Sequence, residues 1–325
     1  MKTKNKDMVC TFVLPVHIKE NNTTYLEYFK KTMNSIFKQT CSDWSMVIVD
    51  NASKNRSLNA YLNYVIEKQK QKILYFYNEK NTGTLGHPRN IGIEIADEEL
   101  GSDIILFQDA DDLAHPMRVE ATKEIFKTTN ADLVYSPFIP IDEHGKKIAY
   151  EKLTFSIKDI LSNLTNPPVG KDVWKVLAEK MYVNLTSATS VRIEIAKKVP
   201  FPVIRCSEDG YTWMLYSAHG AVFHYAKEIP VKYRIPQNVK GGLPLIDYIS
   251  HEKFYKDLVK VYIDAFFECS QYALKKGTAT QEEIEKLVLL LCKKLKEIVK
   301  GEEMHDLVDL PETYLKESQN LFLFS

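Results

Sequence analysis

Strand and helix patterns alternate through the first 136 residues. This predicts an α/β protein whose mostly parallel central sheet carries helices on both faces. Two observations bear most weight. Several short apolar runs end abruptly in polar residues, as strands of an open sheet do. The run Ile104, Ile105, Leu106, Phe107 is the clearest, because Asp109, Asp111 and Asp112 follow within a few residues. The last 80 or so residues read instead as helix only, a C-terminal helical appendage.

Each element has its own signal. Residues 9–16 are an apolar strand run. Thr24 and Glu27 have the spacing of a capping box, and Leu26, Phe29, Met33, Ile36 and Phe37 then share one helical face. Residues 45–49 form a second strand closed by Asp50. Leu58, Tyr61, Leu62, Val65 and Ile66 mark a helix, and residues 73–77 a third strand. A glycine-containing segment, 81–88, leads into a short helix over 89–96. After the acidic strand end a helix opens near His115 and Pro116, where proline suits the first turn. Residues 131–135 form a further strand.

From 142 to 179 the pattern weakens and 166–170 reads as loop, so this stretch is expected to be a long, functional loop. Ser207 is expected to cap a helix that begins with Glu208 and Asp209. Near Lys240, Gly241 and Gly242 the texture turns helical, with Thr280 and Glu283 as a second capping box ahead of Ile284, Leu287, Val288, Leu291 and Cys292. The division expected is a domain over 1–240, with halves at about 8–136 and 137–240, and a helical region over 241–325.

Composition excludes several classes. The 325 residues hold 43 Lys+Arg against 43 Asp+Glu, so no basic footprint for nucleic acid exists. A hydrophobic share of 45% with 26% charged residues is that of a soluble globular protein. Cys10, Cys41, Cys206, Cys269 and Cys292 are scattered, with no C-x-x-C pair. That spacing fits neither a disulfide framework nor a thiolate zinc site and points to the cytoplasm. No apolar run reaches the ~18 residues of a membrane span.

The acidic strand end carries the chemistry. Like charges this close repel unless a cation sits among them. Hard carboxylate oxygens suit Mg²⁺ or Mn²⁺, and ligands of open α/β sheets bind beyond the strands' carboxyl ends. A metal carrying a phosphorylated ligand is therefore expected here, against the plainer alternative of a solvated acidic turn.

The chain resembles the family-2 glycosyltransferases of the GT-A fold. The resemblance lies in Phe12 to Val16 with Pro15, in Ser35 to Thr40 through Trp44 to Asp50, Asn51, Ala52 and Ser53, and in Asn81, Thr82, Gly83 through Pro88, Arg89, Asn90 and Gly92. It continues in Asp109, Ala110 and Asp111 (a DxD element), Glu208 and Asp209 (an ED element), and Tyr233 with Arg234. Order and spacing hold over roughly residues 8–238.

The resemblance implies an inverting transfer of sugar from a nucleotide-diphosphate donor, most simply a UDP-sugar, to a glycan, lipid-linked or protein acceptor. The half over 8–136 would bind donor and the half over 137–240 acceptor. Pro15 and Val16 would line the nucleotide pocket through backbone, Asp50 would accept a hydrogen bond from the base, Asn81 would stand at the same pocket, and Arg89 would lie against base or phosphate. Asp109 would reach the ribose, with Ala110 beside it, and Asp111, together with Asp109, would bind Mn²⁺ or Mg²⁺. Asp209 would be the general base, favoured as an anion by the helix dipole, and Glu208 would orient the acceptor or cap. Such an enzyme is expected in the cytoplasm, free or at the inner face of the membrane, its C-terminal helices offering a peripheral membrane contact or a homo-oligomer surface.

Duller roles compete: Asp50 as cap of its own turn, Arg89 as a surface ion pair, Trp213 as core and the scattered histidines as structural groups. Two departures from the family pattern stand out. No histidine follows Tyr233 and Arg234, which leaves water or Gln237 as a third metal ligand, and His87 and Pro88 stand where small residues are usual. Two other functions fit parts of the sequence. One is a catalytically silent nucleotide-sugar or glycan binder. The other is a haloacid-dehalogenase-type phosphatase, which leaves Asp50, Arg89 and Glu208–Asp209 unexplained. The apolar Leu321 to Phe324 is expected to dock against the body of the protein.

Overall fold

The computed structural model describes residues 8–69, 71–237 and 250–322. The first elements are β1 (Cys10–Val16), α1 (Thr23–Phe37), β2 (Ser45–Asn51), α2 (Arg56–Lys68), β3 (Ile73–Asn78), α3 (Gly86–Leu100) and β4 (Ile104–Phe107). Next come α4 (Arg118–Thr128), β5 (Leu133–Tyr135), β6 (Phe138–Ile141), α5 (Phe155–Asn163) and α6 (Val173–Lys180). They are followed by β7 (Thr189–Arg192), α7 (Ile193–Lys198), α8 (Glu208–Ala218), β8 (Phe223–Tyr225) and β9 (Val231–Arg234). After these lie α9 (His251–Lys276), α10 (Gln281–Gly301) and α11 (Leu310–Phe322).

The sheet has seven strands in the order β3-β2-β1-β4-β7-β5-β8. All neighbours are parallel except β7, which runs antiparallel to both β4 and β5. Every residue of β1, β2 and β4 is buried, as expected for strands covered on both faces. Their side chains alternate between two cores. Phe12, Leu14, Met46, Ile48 and Leu106 face the layer of α1, α2 and α4. Val13, Val47, Val49, Ile105 and Phe107 face the other layer.

That second layer includes the C-terminal helices. Phe266 of α9 and Leu291 of α10 belong to the same continuous core as Phe107 and Trp213. Trp213 is thus a core residue, 1% exposed. α3 lies close on β1, because a Cβ at Gly92 would sit 2.5 Å from Val13 Cγ1. A separate pair, β6 and β9, runs parallel beside the main sheet.

Several expectations need correction. The cap of α1 is Asn22, which accepts from Tyr25 N–H at 2.9 Å, and Thr24 lies inside the helix. The stretch from 142 to 179 is no long loop. Thr154 caps α5, and α6 is held by buried Trp174 and Leu177. The helix after the acidic strand end opens at Arg118, beyond Pro116. Ser207 adopts a left-handed backbone, φ 53°, and its side chain caps nothing. The box at Thr280 and Glu283 forms with both reciprocal bonds. All five cysteines are free thiols. The expected boundary near 240 and the apolar 323–324 lie outside the described residues.

Candidate active site

Parallel pairing puts the carboxyl ends of β1, β2 and β4 on one edge. Val16 pairs with Asp50, and Val13 with Phe107. Asp109, Ala110, Asp111 and Asp112 therefore emerge beside Pro15, Val16 and Asp50, as a ligand site at strand ends requires.

The acid loop is bolted down from several sides. Asp109 N–H donates to Ser187 Oγ at 3.0 Å, and Ala110 C=O accepts from Thr32 Oγ1 at 3.1 Å. Arg234 of β9 supplies the firmest hold. Its N–H donates to Asp112 Oδ1 at 2.8 Å, and its Nε donates to Asp111 C=O at 2.8 Å. Its guanidinium packs 4.5 Å over the Tyr28 ring.

Arg89, in the first turn of α3, ties this loop to α8. Its Nη2 donates to Asp109 Oδ1 at 2.8 Å and its Nη1 to Glu208 Oε1 at 2.5 Å. The side chain is buried and lies over Phe201, 5.3 Å from the ring centre. Burial works against its charge, but Asp109, Glu208 and Asp209 outweigh that and hold the guanidinium protonated. Arg89 is thus enclosed between two acids instead of open to a base or phosphate. Glu208 is likewise buried, and its carboxyl is pushed up to about 7 by that burial, against the pull of Arg89.

Asp209 lies in the first turn of α8 and is partly exposed. Its Oδ2 accepts from Tyr182 Oη and, at 2.8 Å, from Thr186 Oγ1, while its Oδ1, among the described residues, accepts only the Gly210 N–H at 2.8 Å. Neither Tyr182 nor Thr186 was marked by any motif. Both come from the segment between α6 and β7, where no spacing separates Tyr182 from the chain's other tyrosines.

Other residues take quieter places. Asp50 is fully buried; it accepts from Ser53 N–H at 2.7 Å and from Tyr75 Oη at 2.9 Å. The duller role of turn cap is therefore real, and a base could meet Asp50 only once Tyr75 moves. Asn81 Oδ1 closes a tight turn by accepting from Gly83 N–H at 2.7 Å, where Gly83 has φ 68°. Gln237 is exposed and turns its amide back onto Ile235 C=O at 3.0 Å.

The donors fit a hard divalent ion. Asp111 is partly exposed, and no side chain donates to its carboxylate among the described residues. Its carboxyl is pushed up to about 7 by burial and by Asp109 beside it, with Arg234 opposing. Asp112 Oδ2 is buried with no hydrogen-bond partner, and burial with Asp111 and Asp109 raises that carboxyl too. An acid cluster whose own cations leave it proton-hungry is one that a metal relieves. Among the described residues no group of three or more His, Cys, Asp or Glu encloses an ion. A metal here would take few protein ligands and complete its shell from water or a diphosphate.

The seven-stranded, mostly parallel sheet with helices on both faces is the GT-A fold. The chain belongs to glycosyl transferase family 2, whose model it matches over residues 11–199. An uncharacterized glycosyltransferase of Methanocaldococcus jannaschii is 29% identical over 216 residues, 65% of this chain and 67% of its own length. S. aureus TarS residues 1–349 superpose with a TM-score of 0.60 at 14% identity, over 92% of this chain and 74% of that one. TarS has also been solved with UDP and with UDP-GlcNAc. The mannosyltransferase PcManGT of Pyrobaculum calidifontis, in complex with GDP-Man and Mn²⁺, gives 0.55 at 13% identity, over 97% and 80% of the two chains. Family membership sets the phosphatase reading aside. Among the described residues no helix is long and apolar enough to cross a membrane.

Proposed function

We propose that the chain is a metal-dependent, inverting transferase that moves a sugar from a nucleotide diphosphate, most simply UDP, to an acceptor hydroxyl. The acceptor class is a glycan, a lipid-linked saccharide or a protein, and five free thiols favour a cytoplasmic setting. One observation carries the reading: Arg89 fastens the Asp109–Asp111 loop and the Glu208–Asp209 helix start into a single site.

Asp111, aided by Asp109, would hold Mn²⁺ or Mg²⁺. A divalent cation there supplies positive charge to the departing diphosphate. Asp209 takes the proton of the acceptor hydroxyl as that oxygen bonds to the anomeric carbon. The bond from that carbon to the diphosphate oxygen breaks on the opposite side, which inverts the configuration. Arg89 and Glu208 act behind this centre, spacing donor and acceptor carboxylates.

The solved complexes of TarS with UDP-GlcNAc and of PcManGT with GDP-Man support a nucleotide-sugar donor. The test is Asp209→Asn assayed for transfer and for UDP binding together. Loss of transfer of about 10²-fold or more with UDP binding kept supports the base role. Full transfer in that variant removes it.

A further inference from the structure

We propose that Tyr182 and Thr186 are positioning residues that orient Asp209, turning its Oδ1 toward the acceptor hydroxyl; this rests on Asp209 being the general base. Both hydroxyls donate to Oδ2. Among the described residues Oδ1 takes a single backbone N–H and so keeps a lone pair for an incoming proton.

The cradle is built from rigid pieces. Tyr182 follows the C-terminal end of α6, where Met181 N–H donates to Leu177 C=O at 2.7 Å and Asn163 Nδ2 donates to Lys180 C=O at 3.0 Å. Thr186 begins a short 3-10 turn, Thr186–Ala188, whose Ser187 accepts from Asp109 N–H at 3.0 Å. One turn therefore touches the base carboxylate with Thr186 and the acid strand end with Ser187.

Backbone strain marks the same place. Met181, φ 59°, precedes Tyr182, and Ser207, φ 53°, stands two residues before Asp209. Non-glycine residues in this region persist only where surroundings impose them, and they cluster at functional sites. Gly210 shows how closely the cradle fits. A Cβ there would lie 2.5 Å from Tyr262 Oη and 3.2 Å from Tyr182 Cδ2. Burial, with Asp209 alongside, raises the Tyr182 phenol well above its ordinary value, so it remains a donor at neutral pH.

The experiment measures release of nucleoside diphosphate in Mn²⁺ from whichever of UDP-GlcNAc, UDP-glucose or GDP-mannose the wild-type chain hydrolyses fastest. Tyr182→Phe and Thr186→Val should each lower kcat by about ten- to a hundredfold. Donor KM, calorimetric affinity for the nucleoside diphosphate and melting temperature should hold, and Thr186→Ser should restore the rate. Unchanged kcat in Tyr182→Phe, or a fall matched by lost donor affinity or melting temperature, overturns the positioning role. Asp209→Asn assayed alongside separates the two claims. Full rate there removes the base reading and the cradle's purpose with it. A slow Asp209→Asn beside a fast Tyr182→Phe removes the cradle alone.

Discussion

Arg89 Nη1 lies 2.5 Å from Glu208 Oε1, a contact between residues 119 apart in sequence and buried on both sides. The other arm of the same guanidinium holds Asp109 at 2.8 Å. One cation thus fixes the distance between the acid strand end and the helix that starts with Glu208 and Asp209. A buried pair of this kind adds little to stability over a well-packed apolar substitute, but losing one partner is costly. Its value here is geometric.

Arg89→Ala should therefore destabilise the protein by about 3–5 kcal/mol in urea unfolding, since buried Glu208 would lose its cation and partly exposed Asp109 would lose the same partner. Arg89→Lys should recover only part of that loss, because an ammonium cannot present two planar arms to two carboxylates.

Glu208 sets a pH dependence. Its carboxyl titrates near 7 in the folded protein, raised by burial, against an ordinary 4.5. The folded state then binds more protons than the unfolded chain between these values. The stability tied to this group is fully present below about pH 4.5 and is lost as pH rises toward 7. Metal-free melting curves across that window should fall more steeply for the wild-type chain than for Glu208→Gln. Equal slopes would contradict this.

Gly210 reports how tightly the C-terminal helices brace the site. Gly210→Ala places a methyl group against Tyr262 Oη of α9 and Tyr182. Overpacking costs typically 1–3 kcal/mol, offset in part by the better helix propensity of alanine, about 1 kcal/mol. Chemical denaturation should show a net loss, and Tyr262→Phe in the same chain should relieve it by removing the nearest atom.

Local signals were legible and distant ones were not. β1, β2 and β4 announce themselves because strands buried on both faces must be apolar throughout. The capping box of Thr280 and Glu283 spans four residues, so sequence spacing suffices. α5 and α6 escaped notice because helices of nine and eight residues draw their stability from packing such as that of Trp174, not from propensity. Thr24 misled because Asn22, two residues earlier, offers an equally good cap. Within the site, Asp109, Asp111 and Asp209 could be named from motifs, but their partners could not. Arg89 finds Glu208 only through the fold, and Tyr182 finds Asp209 across 27 residues that carry no pattern.

The most direct test of the account is calorimetric titration of UDP into the purified chain, with Mn²⁺ and again with excess chelator, beside Asp111→Ala. The account predicts binding with Mn²⁺ that chelation removes and that Asp111→Ala lacks. UDP binding of equal strength in all three would contradict a metal held by Asp111.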